Sequence, residues 1–520
     1  MSDPMPVLDG LNDPGSPGWW LDYLARRFDV RDTTYDLTVD NLTQQPIWPV
    51  RTRRQRFNLL WSYYIGAPPL PQVAQDFTQT FQDVLRKGRA TYAPMCVTSM
   101  LDRMELRGVR TGIGGPGPRG DDIARRIMLN SGFAAAFKDL LTYVFTMSEG
   151  YLMVVPALPN AVDKTPLITA EDPRFCVGEP DPQNPTQLRA ALKVGYDPVL
   201  SQEVAWLFVG GRRYKAVRQS SAYFNRGFSA SGFQWDEDEG GSDGVSLPEL
   251  DGIGQVPVIR FTNARGMGEY EPHLDLLDRI NDTILQRIVI TWYQSFRQRA
   301  VIADLEGDED DQDSPVEEID WNDVFRADPG ALWRVPAGSQ FWESGQTDLT
   351  PIITSIRDDV KEFAAVTSTP LHLITPDAAQ GSAEGAALMR EGLVFKVKDR
   401  KARINPGLVE AFKIAFAFAG EPQRGKDIEM LWGAVESYSL GEKSNAINQT
   451  RGILSRQRQL TDIMEMDPDE IVANEQELIQ DQILYAQLTV PPPPTQVRMT
   501  EQVTDKNKPG TLAPTAAQVP

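Results

Sequence analysis

The chain has 520 residues and 58.0 kDa, a length for roughly three to four domains' worth of material, and its 41% hydrophobic fraction can build a core, which excludes wholesale disorder. Lys and Arg number 52 against 72 Asp and Glu, a formal charge of -20, so the general surface is unsuited to gripping DNA, which requires cations to displace phosphate counterions. Two cysteines, Cys96 and Cys176, exclude a disulfide scaffold and fit a reducing compartment, and two histidines, His273 and His372, exclude most histidine-rich metal sites.

The first ten residues read as a loose arm with no basic n-region or apolar h-region, so the chain is expected to be made and kept in a cytoplasm. Trp19 to Arg27 predicts an amphipathic helix. Arg51 to Tyr64 predicts a second, with Phe57, Leu60, Trp61 and Tyr64 at helical spacing and Gly66 as its stop. Ala93 to Met104 is a mixed apolar stretch, and Asp121 to Val144 reads as one or two helices. From Glu149 the period shifts towards two. Glu149 to Val155 and Leu188 to Val194 read as strands. Val204–Val209 and Arg212–Val217 read as a hairpin turned by Gly210-Gly211. Trp235 to Gly244 is an acidic loop, and Gln255 to Phe261 is a strand whose Pro257 suggests an edge.

The pattern then turns helical. Leu274, Leu277, Ile280, Ile284 and Ile288 form an apolar stripe on a helix running from Glu271 towards Ala300. Asp304 to Asp323 holds eleven acids and no Lys or Arg, and Trp321 to Trp342 is β-like. A helix over Asp348–Val366 carries Leu349, Ile352, Ile353, Ile356, Val360 and Phe363, with Pro351 in its first turn. After a break rich in Pro and Gly, a long helix runs from Ser382 to Ala419, with a kink expected at Pro406-Gly407. The apolar end of that helix, Gly407 to Gly420, is interrupted by Glu410 and Lys413 and falls short of a membrane span. Its segment Lys396–Arg403, with five basic residues and one acid, reads as an intersubunit or solvated face. Asp427 to Gln487 reads as several short helices, and the stretch from Pro491 as a disordered tail.

Three motifs invite a catalytic reading and are rejected. Gly112–Gly117 has the letters of G-x-G-x-x-G, but the charged Asp102–Arg110 before it does not read as a buried strand. Gly420–Asp427 approaches a phosphate-binding loop, yet Asp427 stands where a hydroxyl is needed. The acids Asp304–Asp313 lack the register of a calcium loop. His273 and His372 read as structural or surface histidines, and both cysteines as buried apolar residues.

What remains is the order of elements. An α+β region precedes a long helix, a compact acidic insert, a returning helix, a broken loop, another long helix and a helical end. Two helices bracketing an insert make a stalk, and a stalk with an apolar stripe needs partners, which favours a ring of identical chains. The chain resembles the portal proteins of tailed bacteriophages, particularly siphophages of actinobacteria. The residues that carry this are Leu60–Gly66, Gly150–Val155, Ala170–Arg174, Gly254–Asn263, Leu277–Thr283, Ser368–Ile374 and Ser382–Gly385, and the likeness covers roughly residues 15 to 490.

The resemblance implies an α+β portal fold: an α/β wing, a two-helix stem, a small α/β clip, a long wing helix and a helical crown, assembled as a ring. It divides the chain into arm and wing (1–267), stem helices (268–300 and 346–366), clip (301–345), tunnel loop (367–384), wing helix (385–420), crown (421–490) and disordered tail (491–520). It implies stem packing by Leu277, Ile280, Ile284, Ile288, Ile356 and Val360. Thr375, Asp377, Gln380 and Ser382 would face the channel, and Asp308, Glu309, Asp310, Asp311, Glu317 and Glu318 would dock partners at the clip. The implied assembly is a dodecamer at one capsid vertex. Its partners are major capsid and scaffold proteins, the terminase large subunit, head-completion proteins and double-stranded DNA passing without sequence specificity. The implied chain has no membrane association, catalytic centre, metal or cofactor. The competing readings are a tail or minor head protein without a channel, and a metal-dependent enzyme built on the acidic residues.

Overall fold

The computed structural model describes residues 8, 10–30, 51–70, 84–113, 120–157, 163–220, 228–254, 256–295, 299–302, 340–343, 345, 347–374, 383–436, 440–466 and 468–489. The chain divides into two units, Met1–Pro468 and Asp469–Pro520. The following concerns the first, except where helix α10 of the second is described by itself.

Helix α1 (Pro17–Arg27) starts where Ser16 accepts from the Trp19 amide, with Pro17 at the first helical position. It lies on a six-stranded antiparallel sheet built from β4 (Cys176–Pro180), β5 (Leu188–Asp197), β6 (Gln202–Val209), β7 (Arg212–Gln219), β8 (Gln234–Trp235) and β9 (Val245–Ser246). Leu21, Leu24, Ala25 and Phe28 of α1 share a core with Ala190, Leu192, Ala205, Leu207 and Ala216. The three sheet alanines are fully buried and keep this face shallow. The β6–β7 hairpin turns on Gly210 and Gly211, both at positive φ, as expected for a two-residue loop.

The larger core is built by α2 (Arg53–Tyr64), α3 (Ala93–Leu101), α4 (Asp122–Asn130), α5 (Phe133–Met147) and a three-stranded sheet. That sheet has the order β10-β2-β3, from β2 (Glu149–Val155), β3 (Leu167–Glu171) and β10 (Val258–Thr262). The strand after Pro257 is therefore an edge. Asp121 caps α4 by accepting from the Ile123 and Ala124 amides.

Two strands depart from the sequence reading. Leu106–Thr111 is strand β1, although it reads as merely charged, and it pairs antiparallel with Ile428–Trp432 (β13), which reads as helical. The charges that disguise β1 find partners elsewhere in the chain: Arg110 reaches Glu429 at 2.9 Å, and Arg107 donates to the Glu465 backbone carbonyl. Gly112 thus does follow a strand, but one in a two-stranded antiparallel ribbon and not in a parallel βαβ unit.

The helical arm begins with α6 (Leu274–Ser295), which stops short of Ala300 because Arg299–Ile302 (β11) pairs with Gln340–Glu343 (β12). Helix α7 (Thr350–Val366) returns with Pro351 in its first turn. Helix α8 (Ala383–Phe418) is one continuous helix through Pro406. The carbonyl deprived of its partner belongs to Ala402, which is exposed, so water can take the bond. Helix α9 (Leu440–Thr450) follows, and α10 (Pro468–Thr489) carries exposed Ile479, Ile483, Leu484 and Tyr485. No helix among the described residues is long and apolar enough to cross a membrane.

A Cβ on Gly407 would come within 2.5 Å of the Phe261 ring, so α8 seats on β10 only because this position is bare. Gly407→Ala is expected to destabilise by about 1–3 kcal/mol in urea unfolding. Gly441→Ala, in an exposed first turn with open space around it, should instead stabilise by about 0.5–1 kcal/mol.

Candidate functional site: the ionic root of the two-helix arm

Helices α6 and α7 run antiparallel. Arg279 of α6 bonds Asp359 and Glu362 of α7 at 2.9 and 2.6 Å, while Gln294 at the other end donates to the Thr347 carbonyl. Leu277, Ile280 and Ile284 are buried along α6, Ile356 and Val360 along α7, and Ile288 is partly buried. The first half of α6 is also tied to the body. Tyr63 donates to Asp278 at 2.5 Å, and the Ala90 amide donates to Asn281 at 2.9 Å.

The entry to α6 is a short buried segment, held from three directions. Arg265 and Gly266 both take positive φ, which turns the chain sharply after β10. A Cβ on Gly268 would overlap the Thr146 carbonyl oxygen, so backbone packs on backbone there. The Glu269 amide donates to the Phe145 carbonyl at 2.7 Å. The Tyr270 hydroxyl, in a fully buried side chain, donates to the Leu60 carbonyl at 2.5 Å.

Three carboxylates anchor this segment and the strand beside it. Glu271 accepts from two nitrogens of Arg56, at 2.6 and 2.8 Å, and from the Gly268 amide. Arg56 also donates to the Gly266 carbonyl, closing the turn on itself. Glu149 sits between Arg53 at 2.7 Å and Arg260 at 2.8 Å and accepts from the Tyr151 hydroxyl. Burial pushes the Glu149 carboxyl up, but the two guanidiniums outweigh it and hold the group well below the usual carboxylate range. Glu269 binds Lys396 at 2.9 Å and Arg400 at 2.7 Å, both from α8, and accepts from Asn263. Burial raises it too; Lys396 and Arg400 bring it below its ordinary value.

Lys396 does a second thing. Its ammonium also donates to the Thr367 carbonyl at 2.8 Å, at the end of α7. One side chain of α8 therefore ties the start of α6 to the end of α7. The C-terminus of α7 is itself closed by Ser368 at positive φ and by the Thr369 amide donating to the Ala364 carbonyl.

The expectation of an intersubunit or solvated face for Lys396–Arg403 is thus corrected for three of its residues. Lys396 and Arg400 point inward to Glu269. Lys401 is buried over the Trp432 ring and donates to the Gly433 carbonyl, and burial lowers its pKa to about 8. Lys398 and Arg403 are exposed, and Arg403 pairs with Asp399. Glu269 and its basic partners stand 127 and 131 positions apart, so only a signal of spatial proximity could have joined them.

Of the other residues singled out by sequence, His273 is half-buried and lowered by burial and by Lys396. Cys96 is pushed up to about 12 by burial, and Cys176 is likewise raised well above its usual value, so neither is a reactive thiolate. Among the described residues no cluster of His, Cys, Asp or Glu is placed to hold a metal. Thr375, Asp377, Gln380 and Ser382 lie outside the described residues, as do Asp308, Glu309, Asp310, Asp311, Glu317 and Glu318 and the side chain of His372.

The family "Phage portal protein, SPP1 Gp6-like" matches residues 122–487, a span that takes in both arm helices and all of α8. The chain belongs to this phage portal protein family. It is a structural protein of the virion, of the head-to-tail connector class. No curated protein matches it in sequence. Among solved structures, a chain of "Neck of native GTA particle computed with C12 symmetry" is 12% identical over 78% of this chain and 98% of its own, with a TM-score of 0.36. A chain of "Virion of native gene transfer agent (GTA) particle" is 13% identical over the same shares, with a TM-score of 0.37.

Arg56→Ala strands a buried carboxylate and is expected to cost about 3–5 kcal/mol of unfolding free energy, against less than about 1 for the exposed Arg26→Ala. The pH dependence follows from Glu149 and Glu269, both depressed in the folded state. Their contribution is complete above the unfolded carboxyl value near 4.5 and drains away as pH falls below it. Glu269→Gln should therefore be less stable than the parent at neutral pH, with the gap closing in urea titrations as pH drops below about 4.5.

Proposed function

We propose that the chain is one subunit of a closed ring at a single capsid vertex, probed by DNA as a channel during packaging and ejection and by the terminase and neck proteins as a docking platform. The observation that carries this is the family match across residues 122–487. The α/β body with an outgoing antiparallel helix pair, strand-paired beyond its helices, supports it.

In this reading residues 1–267 with 385–420 form the wing, 268–300 and 346–366 the stem, 301–345 the clip, 367–384 the tunnel loop and 421–490 the crown. Thr375, Asp377, Gln380 and Ser382 face the channel. The acids Asp308, Glu309, Asp310, Asp311, Glu317 and Glu318 at the clip meet the terminase large subunit and head-completion proteins, while capsid and scaffold proteins surround the wing. The ring has twelve copies and performs no catalysis; the motor that docks on it does the chemical work. The charge of -20 suits such a conduit. Acidic walls keep a duplex hydrated and centred, whereas each phosphate neutralised by a cation would add affinity and slow its passage.

The test is end-on imaging of the purified full chain. Closed rings with an open axial hole are expected; monomers or filaments alone, across a range of salt, would overturn the reading.

A further inference from the structure

The ring reading leaves open what makes one copy choose the flank of the next. We propose that neighbouring copies join through opposite charges on the outer faces of the helix pair, Asp275 and Asp282 of α6 in one copy facing Arg357 and Lys361 of α7 in the next. This rests on the ring reading and names the contact within it.

Helix geometry places the charges. At roughly 100° per residue, Asp278, Asn281 and Leu285 meet the body on one arc of α6, and Arg279, further round the helix, reaches α7. Asp275 and Asp282 fall on the exposed arc between these contacts. On α7, Asp359 and Glu362 turn to Arg279, while Arg357 and Lys361 lie round the helix from them and are exposed. The two acids thus lie on the exposed arc of α6 and the two bases on the exposed arc of α7.

Their level along the pair also agrees. Arg279 and Asp359 are bonded at 2.9 Å and mark one height. Asp275 and Asp282 bracket Arg279 in sequence, and Arg357 and Lys361 bracket Asp359. Rotation about an axis roughly along the helices keeps heights unchanged, so a neighbour would present its bases level with these acids.

Neither set is satisfied within the chain. Among the described residues Asp275, Asp282 and Arg357 have no ion-pair partner. Lys361 has only Asp358, three positions earlier on the same helix, with both side chains more than half exposed. The acids crowd one another: burial, then Asp282 and Asp275, raise the Asp278 carboxyl despite its bond from Tyr63 and the nearby Arg51. A cation from outside relieves that repulsion. A second copy supplies it at the right height, and the pairing is heterologous, the kind that closes rings.

The experiment measures the protein concentration for half-assembly of the full chain, by mass photometry at low and high salt. Asp275→Lys/Asp282→Lys and Arg357→Glu/Lys361→Glu each place like charges on both faces. Each should raise that concentration by about tenfold or more at low salt, with a smaller rise at high salt. The fourfold exchange of all these charges in one chain makes the faces complementary again and should return assembly to within about threefold of the parent. Rings from the parent, with both double variants assembling equally well or the fourfold exchange no better than they are, overturn this inference and leave the ring reading standing. A parent chain that never forms rings overturns both.

Discussion

One ammonium group joins the two roots of the arm. Lys396 of α8 reaches Glu269 at the start of α6 and the Thr367 carbonyl at the end of α7, so the two roots are held by a single side chain on a third helix. Around it the entry segment has little freedom left. The turn at Arg265-Gly266 is closed by Arg56, the peptide at Gly268 packs on the Thr146 carbonyl, and the Tyr270 hydroxyl is used. Buried ion pairs of this kind contribute little net stability compared with an apolar replacement of the same shape. What they do provide here is direction. An apolar contact tolerates sliding, whereas a bidentate guanidinium on a carboxylate fixes both distance and angle. In the proposed ring, which would repeat one geometry in every copy, an arm leaving the body at a defined angle matters more than a further kilocalorie.

The same logic sorts the basic residues. Arg53, Arg56, Arg260, Lys396, Arg400 and Arg424 are all committed to acids inside the fold. Glu149 and Glu269 each hold two of these cations, so such sites withdraw cations from the surface without withdrawing an acid for each. Among the described residues the surface has thereby surrendered cations to the interior, a distribution that suits the proposed conduit for a polyanion.

Local features were legible in the sequence. Gly210-Gly211, Pro351 and the stripe from Leu277 to Ile288 each act within a few residues, and their elements form where expected. The misreadings share one cause. Strand β1 carries Arg107 and Arg110 in a short segment after a charged stretch, and what stabilises it is a partner strand about 320 positions away with Glu429 opposite Arg110. Lys396 and Arg400 look like a solvated helix face until Glu269 is brought to them by the packing of α8. A charge in a sequence carries no mark of whether its counter-charge is water or a distant side chain, so burial of a paired cation is the step that pattern reading misses. The channel and clip residues proposed from the resemblance fall outside the described residues, and the site that did emerge, the root of the arm, was foreshadowed only by Gly254–Asn263 and Leu277–Thr283.

Acidity that suits a conduit works against its assembly. Copies at -20 repel one another at any distance shorter than the screening length, about 8 Å in physiological salt. Apolar burial along the helices does not discriminate between flanks, because the stripe of α6 is already occupied by α7 of its own chain. Specific closure then calls for a local reversal of sign. In the proposed ring that reversal must be confined to the faces that meet, or the wall presented to DNA would lose its repulsion. Two bases at one level of α7, opposite in sign to two acids at the same level of α6, reverse the sign over a single turn or two and leave the net charge of the ring unchanged. In that ring, charge placed in this way on the two helices would meet both demands, since attraction would operate between neighbours at contact distance while the far field felt by a passing duplex would remain negative.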